Sequence, residues 1–407
     1  MAEHFAFSKV RAATRADWPV VPLGAVITRS EYGTSDPASA EGTIPIIGMK
    51  EVVDGNVVLD PSARIEGDAE TLAPLMVRRG DILLNRTNSP DLVGKTGICR
   101  GDADAVFASY LVRLHVDAKK ADAEYVNYWL NDAETQKLIK RVSTRAVSQA
   151  NVNPTELKRH CPIPLPPLPE QRRIAGILRT WDEAIDAASR LIDAKRRRLD
   201  VLRANLMTPA HRGEGWRMAP LGELTAEGKG RNKGGALGRE QVMGVSNARG
   251  VVPMRDATIA SDLTRYKLLP PRGFAYNPMR INVGSIAMSA LDAPVLVSPD
   301  YVVFTCRPKA LAPGYLDHFR RTRFWNHYVN AMGSGSVRVR IYYRDLADIE
   351  IPVPGLAEQK RILGVLDLAA QDLAASRTHL DALKRQKRGL MQKLLTGEWR
   401  VPAEPAV

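Results

Sequence analysis

Two stretches of the chain, 170–208 and 358–396, constrain the fold more than any other feature. In each stretch, mainly leucine, isoleucine and alanine recur at alternating steps of four and three. Such spacing keeps one narrow apolar stripe on a helix facing a partner helix. At 1.5 Å per residue, each predicted helix is about 50 Å long. The polar exceptions in the two stripes are Lys195, Ser376 and Lys387.

The two stretches belong to an internal repeat with a constant offset of 188 residues. The segments IPLPPLPEQRRIAGIL and IPVPGLAEQKRILGVL align without a gap, and the match continues to Thr208 and Thr396. Gln171 and Gln359 are one of several identical pairs. WPVVPLG, which begins at Trp18, has a counterpart in WRMAPLG, 198 residues further on. A gapless match of this length indicates a duplicated unit.

Each repeat is predicted to contain a globular domain, an extended proline-rich strap and a long helix. Proline removes backbone donors and restricts the residue before it, so the strap at Ile163–Pro169 cannot be helical. We expect a hairpin at Asp54-Gly55, helices over 123–142 and 315–328, and a loose lead-in over 1–17. The predicted domains are a first globular domain, 1–162; a first helical region, 163–208; a second globular domain, 209–350; a second helical region, 351–397; and a tail, 398–407.

We predict that the long helices pair antiparallel. A parallel pair would force the second domain to bridge about 50 Å of helix, whereas an antiparallel pair lets that domain leave and return at one end. The predicted fold class is α+β, with two globular α/β domains separated by a long antiparallel two-helix coiled coil. The predicted molecule is thus a dumbbell, with one globular domain at each end of the coiled coil. Because the two halves are repeats, we expect a pseudo-two-fold axis that relates them.

The charge of the chain points to a polyanionic partner. The formal net charge is +13 over 407 residues, and nucleic acid is the commonest polyanion for such a protein. No apolar run reaches the length of a membrane span, and the N-terminus lacks the apolar region of a signal peptide. We therefore predict a cytoplasmic protein without membrane contact. Cys99, Cys161 and Cys306 are scattered, so the sequence suggests neither a disulfide framework nor a zinc site.

Motifs for catalysis are incomplete. Gly94-Lys95-Thr96 resembles the end of a phosphate-binding loop, but Ser89 stands where the leading glycine belongs. Asn277-Pro278-Met279-Arg280 lacks the second proline and the aromatic residue of an amino-methyltransferase motif. The histidines are few and unclustered, which argues against metal or triad chemistry. We predict a chain that is not an enzyme and holds neither a metal nor a cofactor.

These features together resemble the specificity subunit of type I restriction-modification systems over nearly the whole chain. The segments that carry the resemblance are the two long-helix beginnings, GDILLNRTNSPDLVGKTG, FAYNPMRINVGSIAM, GVSNARG and VSQANVNPTEL. The second strap departs from the pattern, with Gly355 and Ala357 in place of two prolines.

The resemblance implies two target-recognition domains that read a bipartite, asymmetric site on double-stranded DNA. It also implies two methyltransferase (modification) subunits, which methylate adenine with S-adenosylmethionine. Restriction subunits would translocate and cleave DNA with ATP and Mg²⁺. All cofactors then belong to the partners. Two alternatives stay open: a recognition subunit of another methyltransferase or restriction class, or a coiled-coil scaffold that binds nucleic acid without sequence preference.

We expect polar and basic side chains on Gly/Pro/Asn-rich loops to contact DNA, with phosphate contacts for affinity and base edges for sequence choice. Asn and Ser also favour turns without any ligand, and Lys195–Arg198 is either a solvated helix face or a contact. The candidates are Arg86, Thr87, Asn88, Ser89, Lys95, Ser148, Gln149 and Asn151 in the first domain, and Asn277, Arg280, Asn282, Ser334, Ser336, Arg338 and Arg340 in the second.

Overall fold

The fold is that of a computed structural model, and the structure describes residues 2–39, 41–145, 149–208, 215–247, 249–332 and 340–401. The chain forms two compact units. Unit 1 contains residues 1–188 and 379–407, and unit 2 contains residues 189–378. Each of the two long helices therefore contributes one half to each unit.

The helices include the two long ones, α6 and α11, and shorter ones in each unit. Their bounds are α1 (Ala2–Ala13), α2 (Ala69–Leu72), α3 (Ala123–Asn131), α4 (Ala133–Arg141), α5 (Pro154–His160), α6 (Leu168–Met207), α7 (Leu221–Leu224), α8 (Pro313–Phe319), α9 (Arg323–Met332), α10 (Tyr343–Ala347) and α11 (Leu356–Leu395). Among the residues that the structure describes, none of these helices combines the length and the apolar composition needed to cross a membrane.

The strands are short. In unit 1 they are β1 (Val20–Pro22), β2 (Ile27–Tyr32), β3 (Ile44–Ile47), β4 (Val52–Val53), β5 (Asn56–Val57), β6 (Arg64–Ile65), β7 (Ile82–Asn85), β8 (Thr87–Asn88), β9 (Thr96–Ile98), β10 (Val106–Phe107), β11 (Leu111–Val116), β12 (Thr144–Arg145), β13 (Ala150–Asn151) and β14 (Pro162–Pro164). In unit 2 they are β15 (Arg217–Pro220), β16 (Thr225–Glu227), β17 (Val242–Ser246), β18 (Gly250–Pro253), β19 (Lys267–Leu269), β20 (Phe274–Tyr276), β21 (Ile286–Met288), β22 (Val295–Val297), β23 (Val302–Cys306) and β24 (Glu350–Val353).

The two units share a sheet topology. The order β2-β11-β7-β9 in unit 1 corresponds to β16-β23-β20-β21 in unit 2, and all of these neighbours are antiparallel. Both units also contain a parallel pair, β3 with β10 and β17 with β22. In each unit the strap forms a strand against the segment that follows a tryptophan, β14 on β1 and β24 on β15. The repeat seen in the sequence therefore extends through the globular parts.

The long helices pair antiparallel, as predicted, because each unit joins the first half of one helix to the second half of the other. In unit 1, Ile174 and Leu178 of α6 share a core with Leu394 and Leu395 of α11. In unit 2, Leu199 of α6 shares a core with Leu366 and Leu373 of α11. Complete burial of a leucine stabilises a fold by about 1.5–3 kcal/mol, so each half-pair is a substantial part of its unit.

The polar exceptions in the stripes bind one another or a nearby carboxylate. Lys387 forms an ion pair with Asp182 in unit 1. In unit 2 the Lys195 ammonium donates to the Asp372 carboxylate at 2.7 Å and to the Ser376 hydroxyl at 2.9 Å. Shifting either helix by one heptad would break these contacts and leave a lysine in the seam without its partner.

Some predicted elements differ in detail. Residues 2–13 form helix α1 and not a loose lead-in, because Ala6 and Val10 pack into the core of unit 1. The predicted helix 123–142 is two helices, since the Asp132 carboxylate accepts from the backbone N–H groups of Glu134 and Thr135 and caps a new start. The predicted helix 315–328 is likewise divided, between α8 and α9.

The predicted Asp54-Gly55 hairpin is confirmed. Both turn residues have positive φ, 48° and 82°, as a two-residue hairpin turn requires. The strands that it joins are Val52–Val53 and Asn56–Val57.

Candidate nucleic-acid interface

In unit 1 the fold brings two of the segments chosen from the sequence side by side. Strand β8, which contains Thr87 and Asn88, pairs with β13, so that Thr87 lies opposite Asn151. The Thr87 hydroxyl donates to the Asn151 side-chain oxygen at 3.3 Å. The backbone N–H of Val152 donates to the Arg86 carbonyl at 2.7 Å. Residues that are 64 positions apart in sequence therefore form one edge, and Gln149 is exposed beside it.

Arg86 occupies a defined position on this edge. Its guanidinium carbon lies 4.9 Å from the centre of the Tyr32 ring, within the range of a cation–π contact. Its backbone N–H donates to the Tyr110 carbonyl at 3.0 Å. Tyr32 is 50% exposed, so a solvent-facing aromatic ring borders the arginine. Tyr32 did not emerge from the sequence, where a lone tyrosine at the end of a strand gives no distinguishing pattern.

The remaining described candidates of unit 1 belong to the turn that follows β8. The Asn88 side chain accepts from the Ser89 backbone N–H at 2.8 Å, and the Ser89 carbonyl accepts from Leu92 and Val93. Asn88 and Ser89 thus build the turn, which agrees with the alternative that these residues favour turns without any ligand. Lys95 is exposed and takes part through its carbonyl, which accepts from the Asn85 backbone N–H.

Unit 2 repeats this arrangement with different residues. Asn277 directly follows β20 and corresponds to Asn85, which ends β7. The Ile341 N–H donates to the Pro278 carbonyl at 3.1 Å, and this bond corresponds to the one from Val152 to Arg86 in unit 1. This contact places the exposed Arg340 beside the turn that contains Arg280 and Asn282, both of which are exposed. The Asn277 side chain accepts from the Met279 N–H at 3.0 Å and shapes that turn.

Arg340 also has an aromatic neighbour. Its guanidinium donates to the Tyr342 hydroxyl at 3.5 Å, and this hydrogen bond raises the pKa of Arg340, which therefore remains charged. Tyr342 is 43% exposed. Each unit consequently presents an arginine against a solvent-facing tyrosine at the equivalent edge. Ser148, Ser334, Ser336 and Arg338 lie outside the residues that the structure describes.

Some buried polar atoms at these strand ends have no hydrogen-bond partner among the described residues. They are the Asn85 side-chain oxygen and the Arg86 Nε in unit 1, and the Tyr276 hydroxyl in unit 2. Others lie away from these strand ends, such as the Thr135 hydroxyl in α4. Burial raises the pKa of Tyr276, so its hydroxyl keeps its proton.

The resemblance of Gly94-Lys95-Thr96 to a phosphate-binding loop has no structural support. The Gly94 N–H donates to the Asn85 carbonyl, and the Thr96 hydroxyl accepts from the Asn131 amide at 2.8 Å. These groups are therefore engaged within the fold. Burial raises the pKa of Cys99, Cys161 and Cys306 to about 12, so the thiols are protonated and unreactive at neutral pH. The described part of the chain contains no cluster of His, Cys, Asp and Glu that could hold a metal.

Comparison with known proteins gives this interface a family context. Residues 16–194 match the family model for the type I restriction modification DNA specificity domain. Over 405 residues the chain is 24% identical to the putative type I restriction enzyme MjaX specificity subunit of Methanocaldococcus jannaschii, with 95% of this chain and 94% of that protein covered. The chain is therefore similar to type I specificity subunits. The family model describes a DNA specificity domain and the relative is a specificity subunit, which agrees with the predicted specificity role of this chain.

Solved structures agree on the fold of this chain. The S subunit of the type I restriction-modification system of M. genitalium matches with a TM-score of 0.59 at 15% identity, over 93% of this chain and 96% of that one. A chain from a structure concerned with complex assembly and conformational transition of the type I R-M system matches with a TM-score of 0.55 at 20% identity, over 95% and 99%. Two α/β domains and two long helices are therefore the architecture of this chain.

Proposed function

We propose that this chain is a specificity subunit, which selects the DNA target of a type I restriction-modification complex and reads a bipartite, asymmetric sequence. One observation carries the proposal: the same exposed edge occurs once in each unit but with different side chains. Unit 1 offers Arg86, Thr87 and Asn151, and unit 2 offers Arg280, Asn282 and Arg340. Equivalent edges with unlike hydrogen-bonding groups suit two unlike half-sites, because side-chain identity decides which base edges are read.

The domain assignment follows from this proposal. Residues 1–162 and 209–350 are the two recognition domains, 163–208 and 351–397 are the helical regions that set their spacing, and 398–407 is a tail. Within each unit the pairing of α6 and α11 is fixed by the contacts of Lys195 or Lys387, and in this proposal the length of the two helices sets the separation between the readers. That separation corresponds to the unread bases between the two half-sites.

Partner subunits supply the chemistry in this proposal. Two modification subunits methylate adenine with S-adenosylmethionine, and restriction subunits use ATP and Mg²⁺, all in the cytoplasm. Exposed apolar side chains on the helices of unit 2 support a scaffolding role, since large apolar groups on a surface often mark protein contacts. Val201 and Leu368 are 56% and 68% exposed.

Sequencing of methylated adenines in the host genome tests the proposed function. Strains with and without this gene would be compared, with the modification-subunit gene intact in both. We expect one two-part motif to lose its methylation when the gene is deleted and to regain it on complementation. Methylation of the same motif without the gene would refute the proposal. A complementing gene that encodes Arg86→Ala provides a matched second strain, in which only one half of the motif should relax.

A further inference from the structure

A groove in unit 1 is lined by four arginines and lies away from the edge that contains Arg86. Its walls are the turn before β7, the start of α3 and the first turns of α6, and it encloses about 320 Å³. The arginines are Arg79, Arg100, Arg172 and Arg179, and the carboxylates in the same lining are Asp122 and Glu124.

Two of the four guanidinium groups are neutralised within the fold. Arg100 and Arg179 both approach Glu124, at 3.5 Å and 3.4 Å, and Arg100 also donates to the Tyr128 hydroxyl at 3.2 Å. The Asp122 carboxylate is occupied as well, because it accepts from the Tyr125 backbone N–H and caps α3.

Arg79 and Arg172 have no counter-ion among the described residues. Both are exposed, and neither makes a side-chain hydrogen bond or ion pair within that part of the chain. Arg79 is held through its backbone, whose N–H donates to the Asp102 carboxylate at 2.9 Å. Two such guanidinium groups beside a concave protein wall concentrate positive potential there. The fork of donors on each guanidinium can bind two phosphate oxygens at once.

The groove has open space beside two of its glycines. Gly80 and Gly176 both line it, and a Cβ atom built on either would meet nothing within 4 Å. Glu183 and Asp186 line an adjoining pocket, which Arg79 also lines. These carboxylates disfavour a long polyanion that runs through both pockets and favour a single phosphate group beside the arginines.

The second repeat keeps the two basic positions but changes the groove around them. Arg272 and Lys360 stand where the first repeat has Arg79 and Arg172. The residue of α8 that corresponds to Glu124 is Gly314, and a Cβ there would lie 3.1 Å from Leu363 and 3.6 Å from the Arg272 guanidinium. Unit 2 therefore has no carboxylate at the position of Glu124, and the side chain of Leu363 stands close to that position.

We propose that this groove binds a phosphate group through Arg79 and Arg172. The ligand is either a free phosphate compound or a phosphate of a DNA backbone, and both offer the same oxygens to the guanidinium groups. The site does not depend on the proposed function, since it uses none of the candidate residues for sequence reading.

Calorimetric titration of the full chain with pyrophosphate, at constant ionic strength, tests the site. We expect one saturable site per chain, and at least a tenfold loss of affinity in the Arg79→Gln/Arg172→Gln double variant. Gly176→Leu fills the open space of the groove without a change of charge, so it should also abolish binding. Replacement of a glycine within a helix leaves the helix intact. The matched controls are the repeat equivalents, Lys360→Gln and Gly364→Leu, which should bind as the unaltered chain does.

A second titration distinguishes the two sources of phosphate. A DNA duplex that lacks the methylated motif is titrated with the same variants at several salt concentrations. If the groove holds a DNA phosphate, both groove variants weaken duplex binding and reduce its salt slope by about one or two. If it holds a free phosphate compound, duplex binding stays constant while pyrophosphate affinity falls. Unchanged pyrophosphate affinity in both groove variants, or an equal loss in the controls, overturns the proposal.

Discussion

Gln171 and Gln359, which stand at the same position of the two repeats, make the same three hydrogen bonds. The Gln171 side-chain oxygen accepts from the Asp122 N–H at 2.9 Å, and its amide donates to the carbonyls of Pro166 and Lys120 at 2.8 and 3.3 Å. The Gln359 oxygen accepts from the Ala312 N–H at 2.8 Å, and its amide donates to the carbonyls of Pro354 and Ala310 at 2.9 and 3.1 Å. Both side chains are fully buried. In each repeat one glutamine therefore ties the long helix to its strap and its globular domain.

Replacement of Gln171 by alanine should destabilise unit 1. The change leaves three backbone groups without partners, and each buried group that loses its partner costs about 1–3 kcal/mol. We expect a loss of roughly 2–4 kcal/mol in urea unfolding and faster amide exchange at Asp122. Gln371→Ala, at an exposed position of α11, is the control and should change stability by less than about 0.5 kcal/mol. A Gln171→Ala chain as stable as this control would contradict the prediction.

Tyr32 should position Arg86 for sequence reading. Removal of the ring in Tyr32→Ala abolishes a cation–π contact that is worth about 0.5–2 kcal/mol, so one half of the methylated motif should relax. Arg86→Ala should cost roughly 1–3 kcal/mol at that half-site. Tyr32→Phe keeps the ring and should keep the motif. An intact motif in Tyr32→Ala, measured by sequencing of methylated adenines, would remove Tyr32 from the interface.

Deletion of seven residues from both long helices should shorten the target. Segments 184–190 and 377–383 lie between the Asp182–Lys387 and Lys195–Asp372 contacts, so their joint removal preserves both contacts and the heptad phase. The rise lost is about 10 Å, or about three base pairs of the spacer. A methylated motif whose spacer keeps its length would rule out the helices as the spacing element. Deletion of the segment from α6 alone, which shifts the apolar stripe of α6 against that of α11, serves as the control.

Acidification should destabilise unit 2 through His318. Its ring accepts from the Arg203 guanidinium at 3.3 Å and lies 2.9 Å from the Asp367 carboxylate. Burial lowers the pKa of His318, although the hydrogen bond to Asp367 opposes this shift. Because the unfolded chain takes up the proton first, this contribution is present above about pH 6.5 and is lost as the pH falls below that value.

Urea unfolding at pH 5 and pH 7.5 measures this dependence. His318→Gln removes the titrating group and should flatten the difference between the two pH values. His379, which is exposed on α11, provides the control, because His379→Gln should leave the pH dependence as it is. The same pH dependence in His318→Gln and the unaltered chain would assign the effect to other groups.

The long helices and the repeat were predictable from the sequence, because heptad spacing and a fixed offset are local signals. The repeat also places Tyr125 and Tyr315 at matching positions, where each donates to a strap carbonyl, of Pro164 and Pro352, at 3.0 Å. Helix α1 was missed because its stripe is mostly small residues. The break at Asp132 was missed because only the cap geometry distinguishes a capping aspartate from one on a helix surface.

The candidate edge was only half predictable. Loop composition pointed to Arg86–Ser89 and to Gln149–Asn151, but their pairing depends on strand topology that no local pattern encodes. Tyr32 reaches Arg86 from a third segment, β2, and this contact exists only after the sheet has formed. The composition of the loops also could not separate Asn88, which builds a turn, from Arg86, whose guanidinium is held against an exposed ring.

The division of the chain into units has a consequence for protein synthesis. The core of unit 1 needs Leu394 and Leu395, which the ribosome makes long after residues 1–188. At about 5–20 residues per second, the apolar stripe of 168–188 waits roughly 10–40 s for its partner, whereas the contiguous unit 2 is completed in the meantime. Until α11 has been made, the nascent chain therefore exposes this stripe to solvent.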